Sequence, residues 1–252
     1  MSTENNDITL IETTDGSHSL FVRSLNETYH SRHGAMQESQ WVFIKHGLDF
    51  ARPPLGEIPE LSSRGTVPER SRGTVPERSR GRILEVGFGT GLNALLAMRW
   101  AEEHRVHVHF TSLETNVLLL ELAEQLNYAS SEHERSDFLK MHAAPWNQDI
   151  AITPYFTLHK AKREVQTEAS ESQFDVIFFD AFGPPTQPEM WTPDIFRRMF
   201  NALKPSGILV TYCAKGQVRR DMQSVGFTVE RLPGPPGKRE MLRATKPVNH
   251  GQ

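Results

Sequence analysis

The chain has 252 residues, with 28 Lys and Arg, 31 Asp and Glu, and a formal net charge of −3. This length is enough to bury a sizeable core in one domain with a small appendage. Its single cysteine, Cys213, excludes an internal disulfide and a cysteine-based zinc cage. Apolar runs stay well short of the roughly 18 residues needed for a membrane span, and the polar N-terminus lacks a signal-peptide pattern. We therefore expect a cytoplasmic protein that does not enter membranes.

Charge is distributed unevenly along the chain. Residues 195–246 contain 11 Lys and Arg against 3 acids, so this segment carries +8 and the remainder −11. Such asymmetry predicts that an anionic partner meets the C-terminal third. Ordinary solvated helix faces remain the alternative explanation.

Residues 1–51 predict a β-hairpin followed by a helix. Alternating apolar residues in ITLIETTDGSHSLFVRS flank the turn pair Asp15-Gly16, and GAMQESQWVFIKHGL has apolar residues at helical spacing. The octapeptide SRGTVPER then occurs twice, at 63–70 and 71–78. Because Gly, Pro, Ser and Arg cannot form a core here, we interpret 52–82 as a flexible, mostly disordered loop. A tolerated surface insertion is the simpler explanation, and an RNA contact through its arginines is the alternative.

Residues 83–246 predict strands that alternate with helices, followed by a short tail at 247–252. In chain order the segments are RILEVG, LNALLAMRWAEEH, VHVHFTSLE, NVLLLELAEQL, a helix over about 133–142, YFTLHK, FDVIFFD, PDIFRRMFNAL, GILVTYC, VRRDMQSV, FTVERL and REMLRAT. Alternation of apolar strands with helices is typical of an α/β protein with a parallel sheet covered on both faces. The last two strands read as a hairpin, which predicts an antiparallel strand near one edge.

A glycine-rich turn follows the first of these strands. LEVGFGTGLNA carries Gly87, Gly89 and Gly91 between a strand and a helix, where glycines permit a tight turn and close approach of a ligand. The spacing, with Glu85 just before it, resembles motif I of the class I S-adenosylmethionine-dependent methyltransferases. Glu114 closes the next strand, where an acid can accept hydrogen bonds from ribose hydroxyls. Glycines that serve only as a turn are the alternative.

Five stretches together resemble one family, the tRNA 5-methylaminomethyl-2-thiouridine methyltransferases. They are YHSRHGAMQESQWVFI (29–44), LEVGFGTGLNA (84–94), FFDAFGPPTQPEMW (178–191), GILVTYCAKGQVRR (207–220) and GFTVERLPGPPGKREML (226–242). The resemblance implies a class I, Rossmann-like fold with a mostly parallel seven-stranded sheet, one antiparallel strand, and a small N-terminal hairpin and helix extension. It also implies S-adenosylmethionine as cofactor and tRNA as partner. The length suggests the stand-alone methyltransferase form, without the fused flavin oxidase.

The resemblance implies roles for individual residues. Asp180 is the expected catalytic residue. The expected cofactor contacts are Glu85, Gly87, Gly89, Gly91, Asn93, Glu114 and Glu164, the last standing where the family usually has the Asp of a Gly-Asp pair and this chain reads Arg163-Glu164. Tyr29 matches the family's N-terminal motif and is an expected substrate contact. From their chemical type, Phe182, Trp191 and Tyr212 are expected to form apolar walls for the amine or uracil. Arg219, Arg220, Lys238 and Arg239, in the basic segment, are expected to contact phosphates.

Asp180 also stands out on physical grounds. The apolar run VIFF ends on this single carboxylate and then breaks into a proline-rich loop. Ligands of open α/β sheets bind beyond the carboxyl ends of the strands, so an acid placed there can orient an amine and receive its proton. Capping of the helix near Pro193 is the duller explanation, and core packing is the duller explanation of Trp191.

The expected activity is methylation of the 5-aminomethyl group of (2-thio)uridine at tRNA position 34. The alternatives are a methyltransferase of the same fold acting on a small-molecule amine, and a non-catalytic RNA-binding domain. The 11 histidines form no recognisable metal site. His107 and His109 share a strand face, but the sequence shows no carboxylate partner for them.

Overall fold

The computed structural model describes residues 7–51 and 80–248, so the SRGTVPER repeat and most of the predicted loop lie outside the described residues. The strands in these ranges are β1 (Ile8–Glu12), β2 (His18–Val22), β3 (Glu27–Thr28), β4 (Arg80–Val86), β5 (His107–Glu114), β6 (Asp149–Thr153), β7 (Phe156–Lys162), β8 (Phe174–Phe179), β9 (Leu203–Thr211), β10 (Thr228–Pro233) and β11 (Glu240–Thr245). The helices are α1 (Ala35–Ser39), a π-helical continuation (Gln40–Leu48), α2 (Leu92–His104), α3 (Leu120–Ala123), α4 (Glu132–Ala143), α5 (Pro193–Ala202) and α6 (Gly216–Ser224).

The large sheet has the order β10-β11-β9-β8-β4-β5-β7-β6. The five central strands run parallel, and β6, β10 and β11 are antiparallel to their neighbours. Side chains of β8 alternate between the two faces, with Val176 and Phe178 in one core cluster and Ile177 and Phe179 in the other. Burial on both faces confirms the predicted α/β class, because a parallel sheet is covered by helices on each side.

The sheet has eight strands rather than the seven expected. The additional strand is β6, which pairs antiparallel with β7 and contains a bulge between Ala151 and Thr153. No strand was predicted from the sequence at its short DIAIT segment, which directly precedes β7. β4 also begins at Arg80, inside the predicted loop 52–82, because its backbone pairs with β5 from residue 80 onward.

The predicted helix over 116–126 is mostly absent, since only α3 is helical there. The Glu114 carboxylate accepts the backbone N–H groups of Thr115 and Asn116, each at 2.8 Å. These bonds hold the chain in a turn where the helix was expected to begin. Val117 and Leu119 are left exposed.

The N-terminal hairpin and helix pack against the large sheet. Gly47 permits this approach, since a Cβ at that position would lie 3.2 Å from the ring of Phe178 and 3.3 Å from Val210. The indole N–H of Trp41 donates to the carbonyl of Pro233 at 2.8 Å. This packing carries Tyr29 to the carboxyl edge of the sheet, where it lines a cavity. In the described part of the chain, no helix has the length and apolarity to cross a membrane.

Candidate active site

The carboxyl ends of three neighbouring strands, β5, β4 and β8, lie side by side at one edge of the sheet. β4 lies between β5 and β8 and runs parallel to both. Backbone bonds join the strand ends, with Gly87 N–H donating to Leu113 O at 2.9 Å and Asp180 N–H donating to Val86 O at 3.1 Å. The glycine-rich turn, the acid of β5 and the acid of β8 are therefore brought together by the order of the strands.

The glycine-rich turn requires glycine at two positions for different reasons. Gly87 has φ +95°, and a Cβ there would lie 3.0 Å from the backbone oxygen of Asp180. Gly89 has φ +49°, and a Cβ there would lie 2.9 Å from the ring of Tyr29. L-residues rarely adopt such φ values, and neither position has room for a side chain. The turn thus passes directly between the catalytic candidate and an aromatic wall.

A cavity of about 460 Å³ opens at this edge of the sheet. It brings together most of the central residues named from the sequence: Tyr29, Gly87, Gly89, Glu114, Glu164, Asp180 and Phe182. It also includes side chains that sequence reasoning did not single out: His30, Thr90, Gln187 and Met190. A cavity of this size with a few convergent polar groups is typical of a small-molecule site.

Glu114 lies at the floor of the cavity as a backbone-bound acceptor. One oxygen accepts the Gly89 N–H at 3.0 Å, and the other accepts the N–H groups of the two following residues. Burial raises the pKa of Glu114, and these backbone bonds oppose the rise. A carboxylate fixed beside the glycine turn has the chemistry that two vicinal ribose hydroxyls need. The glycine turn and this acceptor fit S-adenosylmethionine.

Arg163-Glu164, which stands where the family usually has Gly-Asp, does not close the cavity. Both residues are exposed and line it. The Arg163 guanidinium donates to the buried carboxylate of Glu168 at 2.6 Å. This ion pair holds the arginine at the rim, which leaves Glu164 available as a cofactor contact.

Asp180 is half-buried at the end of β8, and its Oδ2 accepts the amide N–H of Asn93 at 2.8 Å. Burial raises its pKa to about 8, and the negative charge of Glu38 adds to the rise. The Asn93 hydrogen bond and the positive charge of Lys238 act in the opposite direction. The carboxyl is thus suited to exchange a proton near neutral pH.

A partly buried ion pair flanks Asp180 from the side of the N-terminal extension. Glu38 pairs with the ammonium of Lys238. That ammonium also lies 4.0 Å from the centroid of the Tyr212 ring, while the Tyr212 hydroxyl donates to Ala181 O at 2.8 Å. Lys238, predicted as a phosphate contact, instead forms an ion pair with Glu38 beside Asp180. Glu38 matches the family's N-terminal motif, but the sequence assigns it no role, because its partner lies 200 residues away.

Some of the aromatic residues predicted to contact substrate line the cavity, and others support that lining from the core. Tyr29 and Phe182 line the cavity and meet edge-on, with centroids 5.2 Å apart. Burial and the charge of Glu114 raise the pKa of Tyr29 to about 12, so its phenol remains neutral. Trp191 lies instead in the core against Phe179, and its indole N–H donates to Phe182 O at 2.8 Å. The expectation that Trp191 forms a substrate wall is corrected, because it supports the wall from behind.

Other predicted residues lie outside the cavity lining. Glu85 and Asn93 are buried behind the glycine turn, and Gly91 begins α2. On the surface, Arg220 donates to Gln217 at 2.7 Å, Arg219 is half-buried in α6, and Arg239 is exposed. These arginines do not reach the cavity, so any role of theirs concerns a larger ligand.

His109 does have a carboxylate partner, contrary to the sequence expectation. Asp149 of β6 contacts Nε2 of His109 at 3.2 Å and Nδ1 of His159 at 2.6 Å. The carboxylate was missed together with its strand. Across residues 7–51 and 80–248, no group of three or more His, Cys, Asp or Glu side chains is arranged to hold a metal ion.

Known proteins resemble both the sequence and the fold. The sequence profile described as S-adenosyl-L-methionine-dependent methyltransferase matches residues 142–247. Over these residues the chain is similar to the S-adenosyl-L-methionine-dependent methyltransferases. S-adenosylmethionine is therefore its cofactor, as the glycine turn and Glu114 indicate.

The curated relatives confirm the resemblance drawn from the motifs. The tRNA 5-methylaminomethyl-2-thiouridine biosynthesis bifunctional protein MnmC of Pseudomonas aeruginosa is 26% identical over 91% of this chain and 34% of its own length. The protein of the same name from Pseudomonas fluorescens is 33% identical over 63% of this chain and 26% of its own. The chain spans about a third of the length of the curated relatives it matches.

Solved structures share the class I methyltransferase fold. MNMC2 from Aquifex aeolicus superposes with a TM-score of 0.71 over the whole of this chain and 75% of that one, at 24% identity. Spermidine synthase from Thermotoga maritima superposes with a TM-score of 0.54 over 96% of this chain and 69% of that one, at 16% identity. These likenesses concern the fold.

Proposed function

We propose that this methyltransferase acts on the 5-aminomethyl group of (2-thio)uridine at position 34 of tRNA and gives 5-methylaminomethyl-(2-thio)uridine. The observation that carries the proposal is the position of Asp180, which shares one cavity with the glycine turn and Glu114. The names of the curated relatives, which place those proteins in 5-methylaminomethyl-2-thiouridine biosynthesis, support the choice of substrate.

The reaction needs a neutral, oriented amine. Held by the glycine turn and Glu114, S-adenosylmethionine would supply an electrophilic methyl carbon for the amine lone pair, with the sulfide as the leaving group that takes the carbon–sulfur electron pair. An alkylamine has a pKa of roughly 10, near that of lysine, and its protonated form has no lone pair to donate. Apolar walls formed by Tyr29 and Phe182 favour the neutral amine through desolvation.

Asp180 then holds the amine and takes the proton that methylation releases. Its carboxylate accepts an amine N–H in the ground state, and the proton moves onto it as the nitrogen becomes cationic. A pKa of about 8 suits this role, because a more acidic carboxyl would be a weaker base. The Asn93 N–H on Oδ2 leaves the remaining oxygen of Asp180 free to face the substrate.

The test is a transfer assay with methyl-labelled cofactor. The acceptors are tRNA from cells that lack this activity, the same tRNA already bearing 5-methylaminomethyl groups, and small amines including polyamines. We expect label only in the first tRNA, recovered as 5-methylaminomethyl-(2-thio)uridine by nucleoside mass analysis. Transfer to polyamines alone would establish the small-molecule alternative, and label in another nucleoside would exclude the proposed position.

Exposed arginines of the basic segment are proposed to contact tRNA phosphates. Arg220 lies on α6 and Arg239 precedes β11. Each phosphate contact contributes roughly 0.7–0.9 to the slope of log K against log salt. We expect the double variant Arg220→Ala/Arg239→Ala to weaken tRNA binding and lower that slope by about 1.5, as measured by filter binding. Arg105→Asn, a charge removal at the opposite edge of the sheet, is the matched control, and an equal slope in all three proteins would refute the contacts.

A further inference from the structure

Two buried oxygens behind the cavity are left without a hydrogen-bond donor. They are Oε1 of Glu85 and Oδ1 of Asn93. Glu85 is wholly buried and Asn93 is 3% exposed, so water does not reach them. Their side chains are neighbours, since Asn93 is within hydrogen-bonding range of Glu85 and lowers the pKa of that carboxyl. Two buried acceptors left without a donor would be costly, because buried polar groups are normally satisfied.

The surroundings of Glu85 disfavour its ionised form. Its Oε2 accepts the hydroxyl of Ser112 at 2.5 Å. Burial raises the pKa of Glu85 well above the ordinary range, and the charges of Asp180 and Glu114 add to the rise, while the hydrogen bonds of Ser112 and Asn93 oppose it. Burial and two neighbouring acids thus favour the protonated form. Oδ1 of Asn93, which has no other donor, can then accept a hydrogen bond from this proton.

Asp180 differs from Glu85 in its exposure to the cavity and in the charges of its neighbours. It lines the cavity, and the groups that act on its pKa include the cation of Lys238 as well as the anion of Glu38. The Tyr212 phenol, which remains neutral because burial raises its pKa, also lies within the influence of Asp180. Of the two carboxyls, Glu85 is the more deeply buried, and Asp180 is the one that reaches the cavity.

We propose that Glu85 is a neutral carboxylic acid whose Oε1–H donates to Oδ1 of Asn93, and that it thereby fixes the Asn93 amide with its N–H on Asp180. Glu85 is thus a positioning residue that acts through Asn93, not an ionised contact of the cofactor. This inference rests on the proposed role of Asp180 as proton acceptor. It accounts for both orphan oxygens with a single proton.

The orientation of the amide follows from the chain of donors. With Glu85 protonated, Asn93 accepts at Oδ1 and donates from Nδ2 to Oδ2 of Asp180 at 2.8 Å. The reversed amide would place Oδ1 against the Asp180 carboxylate and Nδ2 against the Glu85 hydroxyl. It would therefore bring two acceptors together at one end and two donors at the other.

An infrared measurement tests the proton without depending on activity. Above pH 9, more than one unit above the pKa of about 8 for Asp180, the cavity carboxyl is ionised. We expect the wild-type protein to keep the carbonyl stretch of one protonated carboxylic acid there. The band should disappear in Glu85→Gln and persist in Asp180→Asn. Absence of the band from the wild type would overturn the proposal, whatever the true methyl acceptor is.

Two variants test the positioning role by kinetics. Glu85→Gln keeps a donor for Asn93 and an acceptor for Ser112, so we expect a single-turnover rate within about threefold of wild type. Glu85→Leu removes both, and we expect about a tenfold slower rate with little change in cofactor Kd. If Glu85 were ionised, Glu85→Gln would remove a negative charge and move the midpoint of the pH–rate profile to lower pH. Such a shift, or a tenfold loss of cofactor affinity in Glu85→Gln, would contradict the proposal.

Discussion

Asp180→Asn is expected to lower the single-turnover methyl-transfer rate by about 10²–10⁴-fold, the range that a positioned acid or base contributes. The substitution keeps the shape of the side chain and an acceptor for the Asn93 N–H, which reaches Oδ2 at 2.8 Å. It removes the basicity that takes the amine proton. Cofactor Kd, measured by calorimetry, should stay within about threefold, because Glu114 and the glycine turn are unchanged.

Asp175→Asn is the matched control on the same strand. Asp175 binds the Lys204 ammonium at 2.7 Å and the Arg82 backbone N–H at 2.8 Å, near the start of β8 and therefore at the opposite end of that strand from Asp180. We expect this variant to lose some stability while its transfer rate stays within about threefold. A comparable rate for Asp180→Asn and Asp175→Asn would remove Asp180 from the mechanism.

The pH dependence of the rate should follow the same carboxyl. Only the ionised form of Asp180 accepts a proton, so the rate rises as pH passes upward through its pKa. That pKa is about 8 in the free protein because burial disfavours the anion. A bound sulfonium adds a nearby positive charge, which lowers the pKa. We therefore expect the single-turnover midpoint for Asp180 to lie below 8 with cofactor bound, and Asp180→Asn to lose that limb while the limb due to the substrate amine remains.

Glu114→Ala is expected to weaken S-adenosylmethionine binding by about 100-fold. Hydrogen bonds to a charged group contribute roughly 1.5–3 kcal/mol each, and 1.4 kcal/mol corresponds to tenfold in Kd. The substitution would remove the two expected hydrogen bonds from the ribose hydroxyls of the cofactor. It would also remove the acceptor of the Gly89 N–H, which lies 3.0 Å from Glu114 Oε2. Calorimetry on the purified protein measures the change directly, and a melting curve establishes that the variant is folded.

Two comparisons sharpen that result. Glu114→Gln keeps an acceptor of similar reach without the charge and should lie between wild type and Glu114→Ala. Glu164→Ala removes an exposed carboxylate at the rim and should change Kd by less than about fivefold. If Glu164→Ala were the more damaging variant, the acid at the floor of the cavity would not be the main cofactor anchor.

Much of the site could be predicted because its residues follow strand ends. Gly87, Glu114 and Asp180 each stand where an apolar strand stops, and parallel strands deliver their ends to one edge. Trp191 and Lys238 were assigned to substrate for their chemical type. Type alone does not reveal that an indole turns into the core or that an ammonium is already paired.

The sequence by itself determined the α/β class, the glycine turn and the acids that follow β5 and β8, because hydrophobic periodicity and turn chemistry are local properties of the chain. Only the tertiary structure decided that β6 adds an eighth strand. It alone also decided that Glu38 and Lys238 meet beside Asp180, and that Glu85 lies beyond the reach of solvent. Pairing and burial depend on residues far apart in the chain. The ionisation of each carboxyl depends in turn on that burial and on the charges brought near it.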